Sequence, residues 1–446
     1  MVRAAHAGES REPEDSMTDR TGHTTASTSP RLDRFDAELA RNPEAAVEAL
    51  LTDLAAARGP IIEETEGGHD ALVTFVYVDD VDQVELNTPA LMLNAPRLSE
   101  PMRRAAGTNV WTLVARIARD VTTAYRFHVD PPTLGDTTEE MMAVLSDPER
   151  HAAFTAAYAR SVRPDPYNPH RVADLADDSD EPQSSVLTMP AAVALPRTAD
   201  VSERIEEHRL PGGRRIDLYQ PAGGDDGLPL VVVLDGEHCR RGLVLEHLDT
   251  AIAQGRVPPV RAVLWHNLSP TSRMVEMACN PVLPAALDDE LFPWLAARGQ
   301  LPPAERRVLV GFSYGGLATA YTALHRPDLF GAVLPISPSL FFTPDPDTEP
   351  GEWLTRQVTA GTTRARWFLA VGRLEDIPIA LPGVQSGATM LSCARRFHQA
   401  LQRAGADVVG LLEHPSGHEM FTVHAAVGQG LTALLAPGSR PADAPG

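Results

Sequence analysis

The chain has 446 residues, of which 43% are hydrophobic and 22% are charged, and its formal net charge is −21. This length predicts more than one domain, and the composition is that of a soluble globular protein. The negative charge argues against a nucleic-acid partner, because phosphate backbones are bound by basic surfaces.

Cysteine usage and apolar patterning predict a cytoplasmic protein. The three cysteines, Cys239, Cys279 and Cys393, are far apart and show neither metal-ligand spacing nor a disulfide framework. The N-terminal residues do not lead into the apolar segment of a secretory signal. No run of about 18 apolar residues suggests a membrane span, so we expect no membrane partner.

The N-terminal half predicts a small antiparallel β-sandwich of immunoglobulin-like type over residues 31–170. Residues 1–30 are rich in Ser, Thr, Glu, Asp and Arg, which is typical of a disordered tail. A helical period follows over residues 32–57. Turn residues then separate short strand-like segments, without alternating long helices. These segments are residues 71–78, 83–86, 110–114 and 123–127.

The C-terminal half has a different pattern. Residues 171–200 are rich in Pro and Asp and are predicted to link two domains. Over residues 201–438, nearly continuous apolar strands alternate with helical segments, which predicts an α/β domain with a parallel sheet buried on both faces. Residues 439–446 are predicted to be a tail. The strand-like segments are residues 230–234, 262–265, 307–310, 332–336 and 367–371.

Residues 311–315, Gly-Phe-Ser-Tyr-Gly, lie between an apolar strand and a helical run. This strand–turn–helix context is that of the nucleophile elbow, so the fold class predicted for the second domain is an α/β-hydrolase. The elbow would expose the hydroxyl of Ser313 as nucleophile and direct the backbone N–H of Tyr314 toward an oxyanion. The alternative is a chance match in a glycine-rich loop.

The other two members of a catalytic triad should follow in the order acid, then histidine. His418 lies between the last strand and the final helix, whereas the competing His414 is too close to the end of that strand. The acid should follow the strand that ends at residue 372, where Glu375 and Asp376 are both present. We prefer Glu375, with Asp376 as the alternative acid; either would hold and orient the imidazole.

The second oxyanion donor of this fold comes from a loop after an early central strand. The corresponding loop contains Gly236, Glu237 and His238, whose backbone N–H groups are candidates. Alternatively, the loop is only a tight turn and His238 is a polar residue lining the site.

Several motifs resemble the enterochelin (enterobactin) esterases, over about residues 65–435. Residues 234–236 resemble their Leu-Asp-Gly loop, and residues 273–280 with 290–293 resemble Arg-x-x-Glu-x-x-Cys-Asn followed by Glu-Leu-x-Pro. Residues 417–419 match Gly-His-Asp with Glu419 in place of Asp. Residues 107–111 and 165–169 resemble the family's N-terminal domain.

The resemblance implies hydrolysis of the ester bonds of a ferric catecholate siderophore, so that iron is released in the cytoplasm. It implies no cofactor and no metal site, since iron enters only with the substrate. Because that substrate is anionic, Arg273 is a candidate binding residue. The alternative is a structural salt bridge from Arg273 to Glu276, and Glu290 is another candidate structural partner.

The sequence also departs from the family pattern. Where the family has Ser-Gly-Ser and two tryptophans, residues 337–342 read Ser-Pro-Ser-Leu-Phe-Phe, so Phe341 and Phe342 would form a smaller aromatic wall. Two other functions stay open: a carboxylesterase or acyltransferase on another ester, and a non-catalytic siderophore-binding protein. We expect a monomer or weak oligomer, in which the N-terminal domain shapes the substrate cleft.

Overall fold

The computed structural model describes most of both predicted domains. The described residues are 24–91, 99–135, 140, 143–144, 147–173, 183–194, 198–223, 227–345, 347, 349–361, 364–379 and 384–436. Residues 1–23 of the predicted N-terminal tail, the predicted C-terminal tail at 439–446 and part of the predicted linker lie outside them. No helix within the described ranges is long and apolar enough to cross a membrane.

The helical period over residues 32–57 forms two helices rather than one, α1 (Pro30–Leu39) and α2 (Pro43–Ala57). The break occurs because Pro43 cannot continue the first helix, while its fixed φ suits the first position of the second. The side chain of Asn42 accepts a hydrogen bond from the N–H of Ala45 and caps α2. Both helices pack their apolar faces on one sheet of the N-terminal domain.

The N-terminal domain is the predicted β-sandwich. One sheet has the order β1-β7-β3-β2, with β6 beside β7, and the other has the order β10-β11-β8-β4-β5, with β9 beside β8. Helix α3 is Pro148–Ser161. Aromatic rings join the sheets, since Phe75 lies 5.1 Å from Tyr125 between ring centroids. Strands β1–β11 are Thr24–Ala26, Ile61–Glu64, Asp70–Val78, Val84–Asn87, Glu100–Pro101, Arg103–Arg104, Val110–Ala118, Thr122–Val129, Val162–Arg163, Arg171–Val172 and Ser184–Thr188.

The sandwich extends beyond both predicted boundaries. Strand β1 lies inside the predicted tail 1–30 and pairs with β7. Strands β10 and β11 lie inside the predicted linker 171–200, and β11 pairs with β8. The prediction missed β11 because its residues are mostly Ser and Thr. Backbone pairing and burial nevertheless hold it in the sheet, with Ser185 fully buried and Leu187 2% exposed.

The second domain contains an eight-stranded sheet in the order β12-β13-β15-β14-β16-β17-β18-β19. Strands β14 to β19 run parallel, and β12 and β13 are antiparallel additions at one edge. Strands β12–β19 are Ile205–Arg209, Arg215–Tyr219, Leu230–Leu234, Arg261–Trp265, Arg307–Phe312, Ala332–Ile336, Arg366–Gly372 and Asp407–His414. Helices α4–α12 are Gly236–Arg241, Val244–Ala253, Pro270–Met277, Val282–Ala286, Phe292–Ala296, Tyr314–His325, Trp353–Gln357, Met390–Arg403 and Met420–Leu435.

Burial on both faces explains the continuous apolar runs of these strands. Along β14, Val232 and Leu234 join one apolar cluster, while Val231 and Val233 join another on the opposite face. Helices cover both clusters. The carboxyl ends of the parallel strands therefore meet at one edge, and the loops that follow them carry the predicted site residues.

Candidate active site

Ser313 lies in a sharp turn between β16 and α9. Its φ of 60° and ψ of −119° are strained for a residue with a side chain, as a nucleophile elbow requires. The N–H of Ser313 donates to the carbonyl of Ile336 over 3.0 Å. A Cβ atom at Gly311 would lie 2.1 Å from the carbonyl oxygen of Gly315, so strand and helix approach this closely only because residue 311 is glycine.

His418 and Glu375 form a hydrogen-bonded pair beside this turn. Nδ1 of His418 lies 2.7 Å from Oε2 of Glu375, and the centroid of the imidazole ring lies 4.3 Å from that of Phe312, the residue before Ser313. The other carboxylate oxygen, Oε1, accepts from the hydroxyl of Ser337 at 2.5 Å and from the N–H of Gly372 at 2.6 Å. The buried carboxylate is thus fixed, and its bond to Nδ1 leaves Nε2 of His418 to act as base.

The competing residues have other partners. The Asp376 carboxylate accepts from the hydroxyl of Thr389 over 2.8 Å, at the start of α11. Nδ1 of His414 lies 2.9 Å from the Ser416 hydroxyl. Burial, followed by the nearby positive charge of Arg373, lowers the pKa of His414 to about 4. The structure therefore pairs Glu375 with His418, whereas Asp376 and His414 bind other residues. The catalytic roles themselves stay predictions.

The candidate oxyanion loop opens into helix α4 after Asp235, whose φ is 56°. The first backbone N–H groups of a helix have no partner within it, so those of Gly236 and Glu237 are suited to an oxyanion. The N–H of His238 donates to the carbonyl of Asp235 over 3.0 Å, within the turn. This geometry favours the first two donors over His238. Tyr314, whose N–H is the other candidate, begins α9 directly after Ser313.

Arg273 pairs with Asp235 and not with Glu276 or Glu290. Its Nε and Nη2 atoms lie 2.6 and 2.8 Å from the two carboxylate oxygens of Asp235. Burial opposes the charged form of Arg273, but this carboxylate outweighs burial and raises its pKa. The alternative bridge to Glu276 is not formed, because that residue faces the interior and binds Arg214 over 2.8 Å. The carboxylate of Glu290 lies against Gly212.

The predicted aromatic wall is adjacent to the elbow. The ring of Phe342 meets that of Tyr314 edge to face, with 5.9 Å between centroids, and Phe341 is partly buried against the same apolar core. The guanidinium of Arg273 lies 5.9 Å from the centroid of the Tyr314 ring. Burial raises the pKa of Tyr314. The structure thus groups Arg273, Tyr314 and Phe342 next to Ser313.

Sequence reasoning predicted that the N-terminal domain shapes the substrate cleft, but it missed the residues through which the two domains meet, and it missed Ser337. A cavity of about 440 Å³ lies between the two domains beside His418 and Glu375, and its lining is mainly apolar. Leu374 is 3% exposed and packs into the core of the sandwich. The signal available for Ser337 was its position directly after β17, at the same sheet edge as the elbow. No local signal existed for contacts between separate domains.

The fold and these loops define the class of the protein, an esterase-type α/β-hydrolase with an N-terminal β-sandwich. The family model described as "Putative esterase" matches residues 208–407, and the one described as "Enterochelin esterase, N-terminal" matches residues 72–198. The resemblance to the enterochelin esterases that the motifs indicated is therefore confirmed, with one family model matching in each half of the chain.

Curated relatives and solved structures agree with both matches. The chain is 27% identical to an iron(III) enterobactin esterase of Dickeya dadantii, over 84% of this chain and 92% of the relative. It is also 27% identical to an iron(III) salmochelin esterase of Escherichia coli, over 67% of this chain and 71% of the relative. The structure of the enterobactin esterase of Shigella flexneri in the presence of enterobactin superposes with a TM-score of 0.66 at 22% identity, covering 84% and 96% of the two chains. The ferric enterobactin esterase of Salmonella typhimurium gives a TM-score of 0.68 at 21% identity, with the same coverage.

Proposed function

We propose that this protein is a serine esterase that hydrolyses the ester bonds of a ferric catecholate siderophore of the enterobactin type. The observation that carries the proposal is the His418–Glu375 pair beside a strained Ser313, in a chain whose two domains both match esterase families. Relatives over most of the chain length act on iron(III) enterobactin and iron(III) salmochelin, which supports the substrate class.

The reaction would follow the acyl-transfer scheme of serine hydrolases. Nε2 of His418 takes the proton of the Ser313 hydroxyl while Oγ of Ser313 attacks the ester carbonyl. Glu375 stabilises the imidazolium that forms. The backbone N–H groups of Tyr314 and Gly236 stabilise the oxyanion. His418 returns the proton to the leaving alcohol, and water then cleaves the acyl-enzyme by the same steps.

Substrate binding would use the group beside the elbow. Asp235 engages Nε and Nη2 of Arg273, so Nη1 of the guanidinium is directed away from that pair and can bind a catecholate oxygen. Tyr314, Phe341 and Phe342 would contact the aromatic rings of the substrate. The reaction needs no cofactor, and iron arrives with the siderophore. We further propose a cytoplasmic monomer or weak oligomer that acts in iron uptake.

Hydrolysis of a different ester is the alternative, because the elbow and its His–Glu pair suit any acyl transfer. Product chromatography with ferric enterobactin, iron-free enterobactin and p-nitrophenyl butyrate separates the two functions. Release of dihydroxybenzoyl-serine fragments at a kcat/KM above that for the nitrophenyl ester supports the siderophore. Preferential cleavage of the simple ester contradicts it.

The serine mechanism is tested by Ser313→Ala, which should lower kcat at least about a thousand-fold on either substrate. Ser202→Ala is the control, since Ser202 is an exposed serine in the same domain. Residual turnover of Ser313→Ala near the wild-type value would contradict a serine nucleophile.

A further inference from the structure

The loop that carries His418 is held by a strand of the other domain. Oε1 of Glu419 accepts a hydrogen bond from the N–H of Ala124 over 2.5 Å, and the hydroxyl of Thr123 lies 3.2 and 3.1 Å from the two carboxylate oxygens. Both residues belong to β8 of the sandwich. Oε2 of Glu419 also accepts from the N–H of Gly417 over 3.0 Å. One carboxylate thus binds the chain before His418 and a strand of the N-terminal domain.

The direction of the Glu419 side chain is informative because Glu419 is the residue that precedes α12. A short polar side chain at this position, such as that of Ser, Thr, Asp or Asn, usually caps the helix that follows. Here the side chain makes no capping bond and instead crosses the domain boundary, where the residue is only 8% exposed. Hydrogen bonds from N–H and O–H donors stabilise a buried carboxylate, whereas a neutral amide offers only one acceptor atom to them.

Two further contacts fix the same loop. The N–H of Thr122 donates to the carbonyl of Pro415 over 3.1 Å. A Cβ atom at Gly417 would lie 2.5 Å from Cβ of Pro89, so this close approach of the sandwich excludes any side chain at residue 417. The sandwich therefore contacts the loop on both sides of His418, at Pro415 and Gly417 before it and at Glu419 after it.

The acid is held from the same side. Leu374, the residue before Glu375, packs into the sandwich core, and Arg373 forms a 2.6 Å ion pair with Asp120. Both side chains of that ion pair are more than 40% exposed, so the pair contributes little to stability on its own. The buried contacts of Leu374 and Glu419 are the ones able to fix geometry. They place the acid and histidine loops against a common support.

We propose that Glu419 is a positioning residue, which uses β8 of the sandwich to hold the loop of His418 where Nδ1 reaches Glu375. The inference rests on the proposed esterase function and adds a role for the N-terminal domain, namely to maintain the catalytic geometry as well as to line the cleft. Misplacement of a catalytic group by about 1 Å can cost on the order of a hundred-fold in rate. The role should therefore be visible in kcat.

The test compares Glu419→Gln, Glu419→Asp and Thr123→Val in the full-length protein, with Asp120→Asn as the control at an exposed domain contact. Turnover of p-nitrophenyl butyrate and of ferric enterobactin is measured per active site titrated with a fluorophosphonate. Glu419→Gln should lower kcat about 10- to 100-fold on both substrates and leave KM within about threefold. Glu419→Asp should recover part of the loss, since Asp retains the charge but is one methylene shorter.

Coupling between the variants provides a second measurement. If Thr123 acts through Glu419, Thr123→Val should lower kcat alone but add almost nothing in the Glu419→Gln background. If Glu419→Gln does not fold, the kcat of Thr123→Val alone still tests the role of this contact, because Glu419 itself is unchanged in that variant. Asp120→Asn should retain the wild-type kcat.

Two outcomes would overturn the proposal. Unchanged kcat per titrated site, with a lower melting temperature, would reduce Glu419 to a structural role. A loss confined to ferric enterobactin would mean that Glu419 shapes the cleft and not the position of His418. Failure of the siderophore assignment looks different, because the wild type would then cleave only the nitrophenyl ester while the effects of the Glu419 variants on that ester would persist.

Discussion

The carboxylate of Glu375 holds Nδ1 of His418 at 2.7 Å, while its other oxygen is fixed by Ser337 and Gly372. The adjacent carboxylate of Asp376 faces away, toward Thr389. Two neighbouring acids thus have different environments, and this difference leads to a direct test of the proposed triad.

Glu375→Gln should lower kcat on the order of 10³- to 10⁴-fold, because an amide can present its NH₂ group to His418 and select the wrong tautomer. Asp376→Asn is the matched control and should leave kcat within about threefold of wild type. Steady-state kinetics with p-nitrophenyl butyrate checks both variants. Equal losses in the two would show that the loop, rather than one acid, matters.

Leu374→Ala should destabilise the protein and also lower its kcat. Truncating a buried leucine costs about 2–5 kcal/mol, and here the cavity would open beside Glu375. Leu401→Ala is the matched control, since Leu401 is fully buried in α11, near the end opposite Thr389. Urea unfolding should show a similar loss of unfolding free energy for both variants. Under conditions where each is folded, only Leu374→Ala should reduce kcat. A normal kcat for Leu374→Ala would contradict the proposed support of the acid loop.

Arg273→Gln should raise KM for ferric enterobactin at least about tenfold, with a smaller effect on a neutral nitrophenyl ester. It should also lower stability by about 3 kcal/mol, because the largely buried Asp235 would lose its charged partner. Combining it with Asp235→Asn should recover part of this stability. If the double variant also regains wild-type KM for the siderophore, Arg273 serves only the structure.

The buried side chain of His128 should make the stability of the protein depend on pH. It is fully buried and its Nδ1 contacts the hydroxyl of Ser161, while burial first and then Arg126 lower its pKa to about 3. The unfolded state, with a pKa near 6.5, therefore binds more protons between about pH 3 and 6.5. The stability that neutral His128 contributes is present above pH 6.5 and is lost as pH falls through this window.

The predicted size of this effect is about 2 kcal/mol between pH 7 and pH 5. His128→Gln should reduce the loss of unfolding free energy over that interval by about this amount. Urea denaturation at several pH values measures the change. An unaltered pH slope in the variant would show that His128 is not buried in its neutral form.

Local sequence was sufficient to predict the elbow, the position of His418 and most of the parallel strands. An elbow is defined by adjacent residues, and strands buried on both faces need continuous apolar segments such as Leu230–Leu234. The order of acid and histidine follows from the chain path through the sheet. The sandwich was predicted for the same reason, since its longer strands are apolar and separated by turns.

Other features depended on atoms that are distant in sequence. Whether Glu375 or Asp376 reaches His418 depends on Ser337 and on the backbone of Gly372, and the partner of Arg273 depends on which helix face meets the loop of Asp235. Composition alone predicts Ser184–Thr188 to be linker, but pairing with β8 makes it a strand.

The sequence by itself was sufficient to predict the chemistry proposed for this protein, because a nucleophile elbow and its ordered partners are encoded in short segments with their own strand, turn and helix signals. Only the tertiary structure decided how that chemistry is held in place. Glu419 binds Thr123 and Ala124 nearly 300 residues away in sequence, across a domain boundary. Such a contact leaves no local pattern, since hydrogen-bond geometry exists only once both domains have folded and packed together.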